Sequence, residues 1–388
     1  MKRNIFTVGV LLFFSAVLWS CSDSDSPKIE NEDQDLEQTL EVKTQTLSEA
    51  VNEIVASPGF ELITMKESST KEGTTEDDSD DRFSIENTIT LEDIKGVYDY
   101  ILPTAEEGTE TKMWGLHTAF ERVADSSNFV IRLPQEKATR PWKMYTDEDG
   151  DAELDNDFVV DASQYLSSTV MNSEGFVFDY LLDADITIEE EAAGEIFVDW
   201  DMNMSNGMNF EYASEFGFPN GYSVGHEFTF GDTTEFAYNL KMDGDVLYME
   251  EVEYIRGTAE TDAEYEYALT IGNIKIVKNS SGDEYMVYRD GELQEGAVIS
   301  VIEDSNATEG ESEGEEEDES DNAFCRGGFD IKITFADESE VVLSELIGEE
   351  TLAQLDEIFS SMHDMYFVKK LVDVAAREVS KMADDTDE

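Results

Sequence analysis

Apolar residues recur at every second position over much of this chain. Phe176, Phe178, Tyr180, Leu182, Ala184, Ile186 and Ile188 alternate with a set that includes Asp179, Asp183, Asp185 and Thr187. Val198, Trp200, Met202 and Met204 alternate with Asp199, Asp201 and Asn203, and Met208, Phe210 and Tyr212 with Asn209 and Glu211. Phe236, Tyr238, Leu240 and Met242 continue the pattern beside Glu235, Asn239 and Lys241. A period of two sets one strand face on a core and the other in water. Asn206-Gly207, a preferred tight hairpin turn, and then Asn220-Gly221, Gly231-Asp232 and Asp243-Gly244 punctuate the runs. Short turns at regular spacing make sequential strands antiparallel neighbours. The segment 176–302 therefore predicts a large antiparallel β-meander, shaped as a curved sheet or an open barrel.

Other elements flank it. Phe83-Ser84-Ile85 and Asn128 to Leu133 read as earlier strands, and Phe329 to Phe335 and Glu340 to Leu343 as later ones. The chain ends in helical periodicity. Leu352, Leu355, Ile358, Phe359 and Met362 form one apolar stripe, and Val368, Leu371, Val372, Ala375, Val379 and Met382 a second. Such stripes must be covered, and the sheet offers the cover. A short helix is expected from Thr46, whose capping box includes Glu49, with Leu47, Val51, Ile54 and Val55 on one face and Pro58-Gly59 as its stop. The fold class is α+β, with C-terminal helices packed on the meander. One domain is expected over 46–388, preceded by an acidic tether at 21–45.

Composition alters the picture in one direction. The chain carries 92 Asp plus Glu against 25 Lys plus Arg, a formal charge of −67. This excludes nucleic acid as a partner, because phosphate neutralisation needs clustered cations. The 22 Phe and 4 Trp residues supply a real core and set the chain apart from disordered acidic polymers. Disordered loops are expected near 66–81, which is polar and ends in Glu76-Asp77-Asp78-Ser79-Asp80-Asp81, and near 303–322, where charge repels itself. An alternating meander would also fit a transmembrane barrel. The closing helices, the acidic insertion and the missing terminal aromatic strand point instead to a domain outside the membrane.

The N-terminus has the anatomy of an export signal. Lys2 and Arg3 precede an uncharged apolar run from Ile5 to Leu18, too short for a spanning helix. Leu18-Trp19-Ser20-Cys21 then resembles a bacterial lipobox, and Ser22-Asp23-Ser24-Asp25-Ser26 resembles the acidic surface-export stretch of Bacteroidota lipoproteins. The resemblance covers residues 1–26. It implies a signal peptide at 1–20, a diacylglyceryl group and palmitate-type acylation on Cys21, and a lipid anchor in the outer membrane at the cell surface, with the periplasmic face as the alternative. Two or more acyl chains suffice for stable anchoring, at about 0.8 kcal/mol per buried methylene. With Cys21 lipidated, Cys325 has no intrachain partner.

Catalytic motifs do not survive their context. Gly310-Glu311-Ser312-Glu313-Gly314 matches a nucleophile elbow but lies in the acidic block, and Ser68 with Lys71 lies in a polar loop without its partner motif. The histidines His117, His226 and His363 have no metal-ligand spacing, although His226-Glu227 begins like a zincin pair. Asp147, Asp149 and Asp151 could wrap a calcium ion, though glycine stands at the fourth position where an EF-hand needs it sixth; the alternative is an acidic turn. No other cofactor is expected. Trp114 and Trp142 are candidates for a sugar-stacking platform, whereas Trp200 is in phase with the core. The expected role is a non-enzymatic binding or structural module at the cell surface, taking a glycan, peptide or envelope protein. The alternatives are a carrier holding an apolar ligand between sheet and helices, and a glycan-active hydrolase using two of the many carboxylates.

Overall fold

A computed structural model describes residues 36–63, 86–101, 120–134, 155–172, 175–205, 207–231, 233–257, 263–280, 285–303, 329–335, 338–361 and 365–386. The chain from Leu36 onward forms one compact unit. Its strands are β1 (Glu86–Thr90), β2 (Gly96–Tyr100), β3 (Phe120–Ala124), β4 (Phe129–Leu133), β5 (Phe158–Asn172), β6 (Gly175–Ile188), β7 (Glu191–Asn203), β8 (Asn209–Gly217) and β9 (Tyr222–Phe230). They continue with β10 (Thr233–Met242), β11 (Asp245–Ile255), β12 (Glu264–Ile271), β13 (Ile274–Asn279), β14 (Met286–Arg289), β15 (Glu292–Leu293), β16 (Val298–Glu303), β17 (Phe329–Thr334) and β18 (Glu340–Val342). The helices are α1 (Leu36–Val55), α2 (Pro58–Ile63), α3 (Leu91–Ile94), α4 (Leu343–Ile347), α5 (Glu349–Ser361) and α6 (Met365–Thr386).

The expected α+β architecture is present. Strands β4 to β15 lie side by side in chain order, each antiparallel to the last, within a fifteen-stranded open sheet. Beyond β4 the order changes: β2 runs parallel to β4 and carries β3 on its far side. Strand β5 is long enough to share one edge between two partners, β4 along Phe158–Ala162 and β1 along Leu166–Val170. The meander ends earlier than the alternation implied. Val298–Glu303 leaves the main sheet and pairs with β17, which pairs with β18 in a separate three-stranded sheet.

Turn chemistry fixes the register. At Asp243-Gly244 both residues have positive φ, 50° and 88°, the geometry of a two-residue turn matched to strand twist. The β6–β7 turn does the same with Glu189 and Glu190, at 51° and 69°, where neither residue is suited to the left-handed region. Around Gly207 the expected two-residue turn is replaced by a longer link, because Asn203 pairs directly with Asn209.

Helix α1 starts at Leu36, ten residues before the helix start at Thr46 that the sequence implied. Leu36, Leu40, Leu47, Ala50, Val51 and Ile54 line one buried stripe, and Thr39 and Thr44 complete it. Thr46 sits inside the helix, its hydroxyl donating to Val42 O at 2.9 Å, and is not a cap. The two expected C-terminal helices are α5 and α6. All three long helices bury their stripes in one core with the sheet, through residues such as Leu40, Leu47, Leu355, Ile358, Leu371 and Val372.

One polar constellation fastens α6. Asp373 Oδ1 accepts the phenol protons of Tyr165 at 3.1 Å and Tyr180 at 2.9 Å. Lys369 Nζ donates to Asp373 Oδ2 at 2.7 Å and lies 3.8 Å from the centre of the Tyr180 ring. Burial, reinforced by Asp373, pushes both phenols well above their ordinary range, so they remain donors. Asp373→Ala is expected to cost about 3 kcal/mol in urea unfolding, since it removes the carboxylate that accepts from Lys369 and from both phenols. Lys369→Met should cost less, because Asp373 keeps its two phenol donors; an equal or larger loss would contradict this account. Replacing Glu189-Glu190 by Asn-Gly should raise stability by about 1 kcal/mol in the same measurement, by relieving left-handed strain.

Candidate functional site

The register sorts the inner face of β6–β12 into rows that cross the sheet. The deepest row is Ala184, Ile196, Phe216, Val224, Leu240, Tyr248 and Ile271, each opposite the next. None of these exceeds 2% exposure. The next is Leu182, Val198, Ser214, His226, Tyr238, Glu250 and Leu269. Helix α5 reaches this row, and α6 reaches one row further at Tyr180. Phe359 of α5 packs against Tyr238 and Tyr248, with ring centres 5.3 and 5.8 Å away.

Two further rows lie beyond. One is Tyr180, Trp200, Tyr212, Phe228, Phe236, Val252 and Tyr267; the other is Phe178, Met202, Phe210, Phe230, Thr234, Tyr254 and Tyr265. Apart from Tyr180 they are half-buried or exposed, and none is acidic or basic. Their rings meet edge to face: Phe178 on Trp200 at 4.8 Å, Trp200 on Phe210 at 5.7 Å, and Phe210 on Phe228 at 5.3 Å. Seven strands at about 4.8 Å spacing make this band roughly 30 Å wide. The guanidinium of Arg256 lies 5.6 Å from the Phe230 ring centre at its edge.

His226 sits at the inner boundary of the band. It stacks on Tyr238 at 4.8 Å and packs against Phe236 at 5.0 Å and Tyr212 at 5.5 Å. Trp200 is on the inner face, as its phase implied, but in the half-buried band, with its indole nitrogen buried and without a hydrogen-bond partner among the described residues. The Lys369–Asp373 pair was not singled out from the sequence, although its i, i+4 spacing on an apolar stripe was the available signal.

The opposite face of the same strands is acidic. Asp179 stands opposite Asp201, and Asp201 opposite Glu211, with Asp199 two residues away on the same face. Burial pushes the carboxyls of Asp179, Asp199 and Asp201 up; for Asp199 and Asp201 the neighbouring carboxylates add to it. Among the described residues no group of three His, Cys, Asp or Glu side chains has an arrangement that could hold a metal ion. An open cleft of about 490 Å³ lies elsewhere, between the α1–α2 link and the β8–β9 turn, lined by Glu53, Ser57, Pro58, Pro219 and Asn220.

Cys21, Trp114, His117, Trp142, Asp147, Asp149, Asp151, Cys325 and His363 lie outside the described residues. Searches against models of protein families, curated proteins and solved structures find no match to this chain.

The aspartate row makes a pH prediction. A carboxyl whose folded-state pKa is raised weakens the fold when ionised, and the penalty fades as pH falls through that raised value. Asp201→Asn should therefore stabilise the protein at pH 7 by about 0.5 kcal/mol, a value discounted for solvent screening. The difference should close as pH falls towards the ordinary carboxylate value of 3.8. Urea titrations at several pH values would read it, and a gap that widens in acid would refute the assignment.

Proposed function

We propose that this protein is a lipid-anchored envelope lipoprotein whose domain binds a ligand, without catalysis, on the uncovered half of its sheet. The observation that carries the reading is the pair of charge-free aromatic rows lying past the edge of the helical layer. Every residue of those rows belongs to a strand, so the surface is rigid before a ligand arrives, and little ordering entropy opposes binding. The side chains on offer are rings, thioethers and a few hydroxyls. They suit an apolar or flat ligand that stacks, in preference to a charged one.

A carrier that encloses its ligand between sheet and helices would need space in that layer. Leu355, Ile358, Phe359, Leu371, Val372 and Ala375 fill it against the deepest row of the sheet. The same apolar chemistry is therefore assigned to the open half of the face. Membrane attachment rests on the lipobox at Leu18–Cys21 and the acidic stretch after it.

Two measurements test the reading. Mass spectrometry of the mature N-terminal peptide should find Cys21 carrying diacylglycerol, and protease treatment of intact cells should remove the domain if it faces outward. Small molecules extracted from the purified chain should include an apolar species that is depleted in a Phe228→Ser, Phe236→Ser variant with an unchanged melting curve. An unmodified Cys21 would overturn the anchor, and equal ligand recovery from both chains would overturn the seat.

A further inference from the structure

The three-stranded sheet ends on one side at β16, and no described strand pairs with the outer side of β16. The direction of its backbone groups follows from the ladder. Phe335 N donates to Ser339 O at 2.9 Å, so Phe335 is turned towards the β18 side. Residues of an antiparallel strand turn alternately to one neighbour and then the other. Ile333 and Ile331 therefore turn the same way as Phe335, and Ile331 N donates to Asp330 Oδ1 at 2.7 Å. Asp330, Lys332 and Thr334 turn towards β16, where they stand opposite Ile302, Ser300 and Val298. The backbone groups of Ile299 and Val301, two donors and two acceptors, are left directed away from the sheet.

Sheet edges are ordinarily blunted by Lys, Pro, a bulge or brevity. Strand β15 has two residues, and β18 runs directly into α4. Strand β3 carries Glu121 and Arg122. Strand β16 has none of these devices. Its pairing with β17 runs without a register shift, and Val298 to Ile302 holds no charge and no proline. Val298, Val301 and Ile302 are 64%, 38% and 38% exposed. Val298 and Ile302 flank Ser300 on one face, whereas Ile299 packs on the core from the other.

The surroundings carry one sign of charge. Glu292 and Glu295 precede the strand and are exposed. In the sequence no Lys or Arg stands between Arg289 and Arg326. The neighbouring cation on β17, Lys332, is bonded to Glu340 at 3.1 Å. We infer that β16 is a docking strand for an extended segment of another protein, apolar at its centre and cationic at its flanks, which adds a fourth strand to this sheet. Main-chain bonds to Ile299 and Val301 hold the segment, Val298 and Ile302 face its apolar side chains, and the acidic surroundings attract its cations. A second copy fits this edge less well, because each chain brings a formal charge of −67. Pairing along so short a strand also falls below the roughly 1,200 Å² that a stable interface between two folded subunits buries. The inference goes beyond the ligand seat proposed above and does not need it, since β16 belongs to the other sheet.

The test uses the purified chain and a fluorescent peptide, Lys-Lys-Val-Thr-Val-Thr-Val-Lys-Lys, read by anisotropy. The peptide should bind, more weakly as salt is added, and should slow hydrogen exchange at the amides of Ile299 and Val301. Glu-Glu-Val-Thr-Val-Thr-Val-Glu-Glu, and the lysine peptide methylated on its two threonine amides, should each bind at least tenfold more weakly. Val301→Pro removes an amide that β17 does not use, so it should lower affinity at least tenfold with an unchanged melting curve. The methylated peptide reads the same bonds on the unaltered protein. Absence of binding, or equal binding by the methylated peptide, would overturn the inference. So would amides of Ile299 and Val301 already protected in the peptide-free monomer, because a segment of this chain would then hold the edge. A peptide-free dimer abolished by Val301→Pro would overturn it in favour of a second copy.

Discussion

Strand register is the constraint from which the other features follow. Side chains alternate strictly along a strand, so a slip of one residue would exchange the two faces of the sheet. From β6 to β12 the pairing carries each inner row across seven strands. The irregularities that occur there, at Ile186–Thr187 and Leu240–Lys241, lie next to the β6–β7 and β10–β11 turns. The related shift in β5, at Ala162–Gln164, is at the same end of the sheet. Bulges bend strands and increase twist. Bending is thus placed under the helices, and the aromatic half of the face is paired without interruption.

The helical layer then divides that face into a covered and an open half. Helix α1 lies against β11 and β12 and beside α5, whereas α6 lies against β1, β3 and the tyrosines of β5 and β6. Tyr222, next to the β8–β9 turn, donates to Glu53 of α1 at 3.0 Å, and Ser48 of α1 is joined to Thr351 of α5 at 3.0 Å. At the boundary the contacts change character. Phe359 covers Tyr238 and Tyr248 by ring packing, whereas α6 is fixed by the Lys369–Asp373 pair and two tyrosines. A buried ion pair contributes less to net stability than to orientation, because desolvation offsets much of its attraction. Its effect here is to hold α6 against Tyr165 and Tyr180, the one residue of the aromatic rows that is fully buried.

The sequence carried the inner rows openly. Phe176, Phe178 and Tyr180, and Val198, Trp200 and Met202, are in phase on their strands, and Asn-Gly and Asp-Gly pairs divide the runs. The C-terminal stripes were equally plain, since each recurs at helical spacing. What remained hidden depended on partners distant in sequence. The parallel pairing of β2 with β4 has no local signature, and neither has the departure of Val298–Glu303 to β17. The first turns of α1 were obscured because Leu36 and Leu40 are isolated among acids and amides, and their burial comes from the layer they dock on. The boundary between covered and open rows was illegible for the same reason. Alternation assigns Trp200 to a face, but only the position of α5 and α6 decides how much of that face is covered.

The acidity of the outer face bears on why a wide apolar half-face can persist. An exposed aromatic band would ordinarily invite a second copy to stack on it. Each band strand also carries carboxylates on its reverse side, among them Asp179, Asp199, Asp201, Glu211, Glu227, Glu235, Glu251 and Glu253. These sit on the far side of each strand, so in two molecules stacked band to band the two acidic faces lie roughly 20 Å apart, and their repulsion is felt only where salt is low enough for the screening length to exceed about 8 Å. The repulsion falls on like copies and leaves neutral ligands unaffected. It also has an internal cost, visible in the raised carboxyls of Asp179, Asp199 and Asp201. Alternation therefore does two things with one set of strands: it gathers the rings on one side, and it places the chain's negative charge behind them on the other.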